Sequence, residues 1–244
     1  MRFLIKFSYD GSAYCGFQTQ KGKETIQEKL ETALTKINNG KPTKIVASGR
    51  TDKKVHALCQ CAHADLDVKI TEYKLKRALN SNLPDDIHVI ETKIVDNSFH
   101  ARYNVIEKEY KYYINLGEYN PIERNYIFQY NYKLDIEKMQ EAIKVFIGTH
   151  DFRAFVTENK EKENCIRTIS KATIIEKDNK LIFTFIGNGF LRYQVRNMVG
   201  ILIRVGENKI SPKDVEKILA IKDRTKTGKT APAEGLYLTN IKYS

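Results

Sequence analysis

Apolar residues alternate with polar ones from Arg2 to Tyr9, with Phe3, Ile5, Phe7 and Tyr9 in register, and this period of two predicts a half-buried strand. Asp10-Gly11 turns the chain into a Gly-, Ser-, Thr- and Gln-rich loop that reaches Gly22. From Thr25 the period changes. Thr25 and Glu28 have capping-box spacing, and Ile26, Leu30, Ala33, Leu34 and Ile37 follow on one helical face, closed by Asn39-Gly40. Lys44 to Ala47 and Val55 to Cys61 read as strands, Thr71 to Asn80 as a helix with Leu75, Ala78 and Leu79 on one side, and Ile87 to Val95 as a strand after Pro84. The order strand, helix, strand, strand, helix, strand is the ferredoxin-like split arrangement.

The second half reads as a repeat of this outline. Lys108, Tyr110, Tyr112, Ile114 and Leu116 share one face of a strand, and an irregular tyrosine-rich stretch covers Pro121 to Lys133. Asp135 caps a helix with Met139, Ala142, Ile143 and Phe146 inward, closed by Gly148. A charged loop, Thr157 to Asn164, precedes strands over Thr168 to Glu176 and Leu181 to Gly187. A helix is expected from Phe190 to Val205 and another from Ser211-Pro212, and Leu236 to Tyr243 closes as a strand. The expected fold is α+β, with two ferredoxin-like halves, residues 1–104 and 105–244. Their sheets join into one large, mainly antiparallel sheet, with helices on one side and a central cleft.

At 244 residues the chain can bury a sizeable core. Lys and Arg number 41 against 30 acidic residues, a formal net charge of +11 spread through folded-looking sequence. Such a balance points to a polyanionic partner. Cys15, Cys59, Cys61 and Cys165 form no zinc-type pair of pairs and read as reduced structural thiols, and no metal is expected. The first ten residues mix charge with apolar side chains, and no apolar run approaches membrane-spanning length, so a cytoplasmic protein with no membrane partner is expected.

The chemistry is expected at Ala47-Ser48-Gly49-Arg50-Thr51-Asp52-Lys53-Lys54-Val55-His56-Ala57, a glycine-marked turn between two strands. A carboxylate at Asp52, two residues from Arg50, suits a nucleophile or base held ionised by a neighbouring cation. Taken without context, Asp, Gly and Thr are ordinary turn formers. Tyr110 alone reads as a core tyrosine and Arg196 as a snorkelling surface arginine. The adjacent pair His150-Asp151 reads as structural, since neighbours on an extended chain point apart and no nucleophile accompanies them.

This stretch resembles the signature of the TruA family of tRNA pseudouridine synthases. Companion stretches appear in the family's order. They are Phe7-Ser8-Tyr9-Asp10-Gly11, Gly16-Phe17-Gln18, Leu79-Asn80-Ser81-Asn82-Leu83-Pro84-Asp85-Asp86 and Phe99-His100-Ala101-Arg102, then Glu109-Tyr110-Lys111-Tyr112, Gly148-Thr149-His150-Asp151-Phe152, Val195-Arg196-Asn197-Met198-Val199-Gly200 and Thr230-Ala231-Pro232-Ala233-Glu234-Gly235-Leu236-Tyr237.

The resemblance implies an enzyme that isomerises uridine to pseudouridine at positions 38, 39 and 40 of the tRNA anticodon stem-loop, without a cofactor and as a homodimer. It implies Asp52 as the catalytic nucleophile, Arg196 reaching that aspartate, Arg50 beside it, and Tyr110 against the target base. The family usually has a small residue and a glycine after the aspartate, where this chain has Lys53 and Lys54. That difference bears on substrate choice more than on reaction type. Alternatives are the same reaction on another RNA, a noncatalytic RNA-binding paralogue, and a nucleoside or glycoside hydrolase. The last would need a second carboxylate, for which Asp10 is the nearby motif acid.

Overall fold

The computed structural model describes residues 1–156 and 164–244; of the expected charged loop, residues 157–163 lie outside the described residues. The described chain is α+β, as expected, with ten strands and five α-helices. It divides into two compact units, Met1–Ile106 together with Tyr237–Ser244, and Glu107–Leu236.

In the first unit, β1 (Arg2–Tyr9), α1 (Ile26–Ile37), β2 (Ile45–Ala47), β3 (His56–Asp65), α2 (Glu72–Asn80) and β4 (Ile87–Val95) follow the expected split order. β1 is central, antiparallel to β4 on one side and to β3 on the other, and β2 pairs antiparallel with the outer edge of β3. The alternation in β1 survives intact. Phe3, Ile5, Phe7 and Tyr9 are buried, forming one core with Ile26, Leu30 and Leu34 of α1 and Leu75 and Leu79 of α2. Fully burying each aliphatic or Phe side chain contributes about 1.5–3 kcal/mol, enough to lock the register. Thr25 is the N-cap of α1 by position, yet its hydroxyl makes no cap hydrogen bond and is buried without a partner among the described residues, contrary to the capping-box expectation.

The last strand departs from the expected halves. β10 (Leu236–Tyr243) was expected in the second half, but from Tyr237 onward it belongs to the first unit. Tyr237 and Leu238 pair in parallel with His56 and Ala57, on the β3 edge that β2 leaves open beyond Ala62. The Tyr237 ring stacks on His56 at 4.7 Å, and the Tyr243 hydroxyl donates to Ala101 O at 2.8 Å. Sequence order hides such a return because strand pairing is nonlocal.

His63 of β3 is buried, and its Nδ1 accepts the Ala101 N–H at 3.0 Å, which anchors the Phe99-His100-Ala101-Arg102 stretch. Burial lowers its pKa below the ordinary 6.5, helped by Arg2 and His100 and opposed by Asp65. Above pH 6.5 the ring is neutral in folded and unfolded chains alike and has no effect on the pH dependence. As pH falls through 6.5 the unfolded chain binds a proton that the folded chain refuses, so stability declines until the folded pKa is passed. Denaturant melts at pH 7.5 and 5 are expected to show a smaller acid-induced loss for His63→Gln, whose amide oxygen can still accept from Ala101. An unchanged loss would remove His63 from the account.

The second unit begins within β5 (Val105–Asn115), which runs antiparallel to β9 (Lys180–Gly187). β9 pairs with β8 (Ile166–Lys177) through a two-residue hairpin, Asp178-Asn179, both at positive φ, as type I′ turns require. β7 (Gly148–Asp151) adds to the outer edge of β8, and the short β6 (Phe128–Gln129) lies parallel to β5 within the stretch expected to be irregular. α3 (Ile136–Ala142) has the expected Asp135 cap, its carboxylate accepting from Lys138 N at 3.1 Å, and tightens into a 3₁₀ turn over Ile143–Phe146. α4 (Gln194–Gly206) starts four residues later than expected because Tyr193 adopts a left-handed conformation that a helix cannot include. α5 (Pro212–Ile221) is capped by Ser211, whose N–H and hydroxyl both donate to Asp214. The core of this unit is aromatic, with Tyr112, Phe146, Phe152, Phe155, Phe183 and Phe185 fully buried.

Candidate active site

The first unit carries Arg50 and Asp52 on the connection from β2 to β3, at the strand end where the sequence places them. Three devices hold this connection. At its start, the buried Gln60 side chain accepts from the Ser48 hydroxyl at 2.7 Å and donates to Gly49 O at 3.2 Å. In its middle, the hydroxyls of Thr51 and Tyr9 meet at 2.7 Å, and Phe17 N donates to Thr51 O at 3.1 Å. Burial pushes the Tyr9 hydroxyl well above its ordinary pKa, so it remains a neutral partner. At its end, Val55 N donates to Asp52 O at 3.2 Å, closing a four-residue turn, and Thr51 and Val55 are buried on either side of the half-buried Asp52. Arg50, Lys53 and Lys54 are exposed.

The glycines of the first loop explain why that loop is needed. A Cβ on Gly11 would stand 2.1 Å from Val55 O, and Gly16, at φ 96, would place one 3.2 Å from Thr51 O. The 10–18 loop therefore lies backbone against backbone along the aspartate turn. Gly11 N also lies 3.2 Å from His56 Nδ1, and Asp10 Oδ1 lies 3.1 Å from the same nitrogen. Asp10 further accepts from the Ser12 N–H and hydroxyl. Asp10 is thus tied into the geometry of the loop.

Lys54 occupies the third position of the Asp52–Val55 turn at φ 66, where a non-glycine residue costs about 1 kcal/mol. Lys54→Gly is expected to raise stability by up to about 0.5 kcal/mol, most of the relief of strain being offset by glycine's larger unfolded-state entropy. A denaturation midpoint that falls instead would show that the Lys54 side chain contributes more than its backbone costs.

The second unit carries Tyr110 and Arg196. Tyr110 lies on β5 opposite Phe185 of β9, 8% exposed, with its ring edge-on to Phe190 at 5.2 Å. Arg196, on the first turn of α4, is half-buried. Its Nε donates to Ala231 O at 2.8 Å, and Ala231 N donates back to Arg196 O at 3.1 Å. The neighbouring Asn197 accepts from Thr230 Oγ1 at 2.7 Å and from Arg224 Nη2 at 3.0 Å, and donates to Phe155 O at 2.7 Å. Arg196-Asn197 and Thr230-Ala231, more than thirty residues apart, thereby hold one another, and a main-chain carbonyl holds the Arg196 Nε.

His150 and Asp151 satisfy local structure. His150 Nε2 lies 2.9 Å from Ile147 O, and Asp151 pairs with Lys222 at 3.1 Å. The four cysteines are free thiols. The residue pattern does not single out Tyr193, whose ring centroid lies 5.1 Å from Arg196 Cζ. No local signal announces it, because a left-handed tyrosine looks like any other tyrosine in a helix-compatible pattern.

A family model described as tRNA pseudouridine synthase matches residues 5–104 and 142–244. Relatives align from end to end. The chain is 43% identical over 244 residues to tRNA pseudouridine synthase A 1 of Bacillus cereus (strain ATCC 10987 / NRS 248), covering 100% of this chain and 99% of that one. It is 44% identical over 248 residues to tRNA pseudouridine synthase A of Limosilactobacillus reuteri (strain DSM 20016), covering 99% and 96%. It is 43% identical over 245 residues to tRNA pseudouridine synthase A of Streptococcus pneumoniae (strain Hungary19A-6), covering 99% and 98%. With its resembling stretches in register and the match spanning both units, this chain belongs to the TruA family of tRNA pseudouridine synthases, which are isomerases.

Proposed function

We propose that this tRNA pseudouridine synthase acts on uridines 38, 39 and 40 of the anticodon stem-loop, with Asp52 as the catalytic carboxylate. The observation that carries the reading is the half-buried Asp52 on a turn clamped by Gln60, Tyr9, Phe17 and the backbone around Gly11 and Gly16. A reactive carboxylate needs that rigidity, because small displacements of a nucleophile are costly.

The reaction breaks the bond from uracil N1 to ribose C1′, rotates the base and re-forms the glycosidic bond from C5, after which the C5 proton leaves. Asp52 either attacks C1′ as uracil departs or removes a sugar proton to leave a glycal; each route needs it ionised. Arg50 and Arg196 supply the positive charge that favours the carboxylate and the departing uracil anion. A uridine in a stem must leave the stack before its C1′ can be reached, and the Tyr110 ring provides a face for the extruded base. The net charge of +11 suits the phosphate contacts that hold the RNA. We further infer a cytoplasmic homodimer that needs no cofactor; sedimentation at twice the 28.2 kDa chain mass would support the dimer.

Site choice is tested with tRNA carrying tritium at uridine C5, in which positions 38, 39 and 40 are uridine singly or are all replaced by cytidine. Release is expected from each single-uridine tRNA and from none of the triple replacements. Undiminished release from the triple replacements would move the reaction to another part of the RNA.

A further inference from the structure

Tyr193, directly before α4, has φ 63 and ψ −2, a left-handed conformation that crowds the Cβ of any residue except glycine. Of the seven non-glycine residues at positive φ among the described ones, four are Asn or Asp, which tolerate it; Tyr193 is the aromatic one. The conformation is imposed from both sides. Gln194 N donates to Leu191 O at 3.1 Å, the fully buried Gln194 side chain accepts from Leu191 N at 2.8 Å, and Tyr193 O accepts from Asn197 N at 2.9 Å.

The ring so placed serves two guanidinium groups. Arg192 Cζ lies 5.0 Å from its centroid and Arg196 Cζ 5.1 Å, and Arg192 Nη2 lies 3.3 Å from the Tyr193 hydroxyl. Both guanidinium groups lie within cation–π range of the one ring, which offsets part of their mutual repulsion. The Nε hydrogen bond to Ala231 O and the Tyr193 ring 5.1 Å from Cζ both bear on where the Arg196 guanidinium points. Backbone strain at Tyr193, which a glycine or asparagine would relieve, is the pattern expected when the strained residue aims something.

We propose that Tyr193 is a positioning residue for Arg196. Its left-handed backbone holds the ring against the guanidinium, and the ring orients the charge on which the proposed role of Arg196 depends. Tyr193 itself touches no reacting atom. The inference rests on the role proposed above for Arg196.

The test uses the purified full chain with enzyme in excess over C5-tritiated tRNA, for wild type, Tyr193→Phe, Tyr193→Asn, Arg196→Ala and the Tyr193→Asn/Arg196→Ala double variant, with melting temperatures measured alongside. Asn suits the left-handed backbone and removes the ring. Tyr193→Asn is expected to lower the single-turnover rate about tenfold at saturating enzyme, with a melting temperature within about 2 °C of wild type, and Tyr193→Phe to stay within about twofold in rate. In the Arg196→Ala background the Asn substitution should cost nothing further, because a ring acting through Arg196 has nothing left to orient.

A wild-type rate for Tyr193→Asn, beside a large loss for Arg196→Ala, would overturn the proposal while leaving Arg196 its role. Equal losses for Phe and Asn would assign the effect to the hydroxyl and overturn it as well. So would an undiminished Asn effect in the Arg196→Ala background, whatever happens to the melting temperature. If Arg196→Ala itself retained the wild-type rate, both the role of Arg196 and this inference would fall.

Discussion

Asp52→Asn is expected to lower tritium release from C5-labelled tRNA by about 10²–10⁴-fold or more while leaving the melting temperature and tRNA affinity near wild type. The substitution keeps the side chain's size and removes the charge that either route through C1′ requires. The fold should tolerate it because the turn is held by its neighbours. The Thr51 hydroxyl, the Thr51 and Asp52 carbonyls and the Gly49 carbonyl carry hydrogen bonds that clamp the chain there, and all four groups survive the substitution. Release that survives the substitution would mean that another residue does the chemistry. A lower melting temperature with an undiminished rate would make Asp52 structural. Retained RNA binding with no release by the wild type on any tRNA would favour the noncatalytic paralogue.

Gly11→Ala is expected to destabilise the first unit by about 1–3 kcal/mol and, independently, to slow the folded enzyme about 10²-fold. The added methyl would stand 2.1 Å from Val55 O and 2.7 Å from Val55 C, both backbone atoms, so no side-chain rotation can relieve it. Either the 10–18 loop or the aspartate turn must shift. The turn is the shorter of the two and has Asp52 at its head, so an ångström of displacement there moves the carboxylate by a similar amount. Rates should be measured on the folded fraction, well below the melting transition. A normal rate with reduced stability would show that the 10–18 loop yields and the turn does not.

The two predictions bear on different levels of the same site. Asp52→Asn removes the reactive group from an intact scaffold, whereas Gly11→Ala leaves the reactive group and disturbs what places it. Loss of rate in both, with loss of stability in the second only, is the combined outcome that a preorganised carboxylate requires.

Much of the local structure was legible from the chain alone because it rests on short-range periodicity. The alternation of Phe3, Ile5, Phe7 and Tyr9, the helical spacing of Ile26, Leu30 and Leu34, and the caps at Asp135 and Ser211 all hold in the structure. So do the α+β class and the split strand order of the first unit. The motif at Arg50–Asp52 was also visible, since a glycine-marked turn between two apolar runs puts polar residues at a strand end.

Tertiary structure alone decided three matters. The pairing of β10 with β3 depends on an edge left open by the shortness of β2, which no window along the chain contains. Gly11 and Gly16 owe their necessity to backbone that lies some forty residues away in sequence, so in the chain they look like ordinary loop glycines. The start of α4 is set by the left-handed turn at Tyr193, which its buried neighbours Leu191 and Gln194 enforce against the local helical preference. In each case the deciding energy comes from contacts between segments far apart in sequence or from burial, and neither is carried by the pattern of residues nearby.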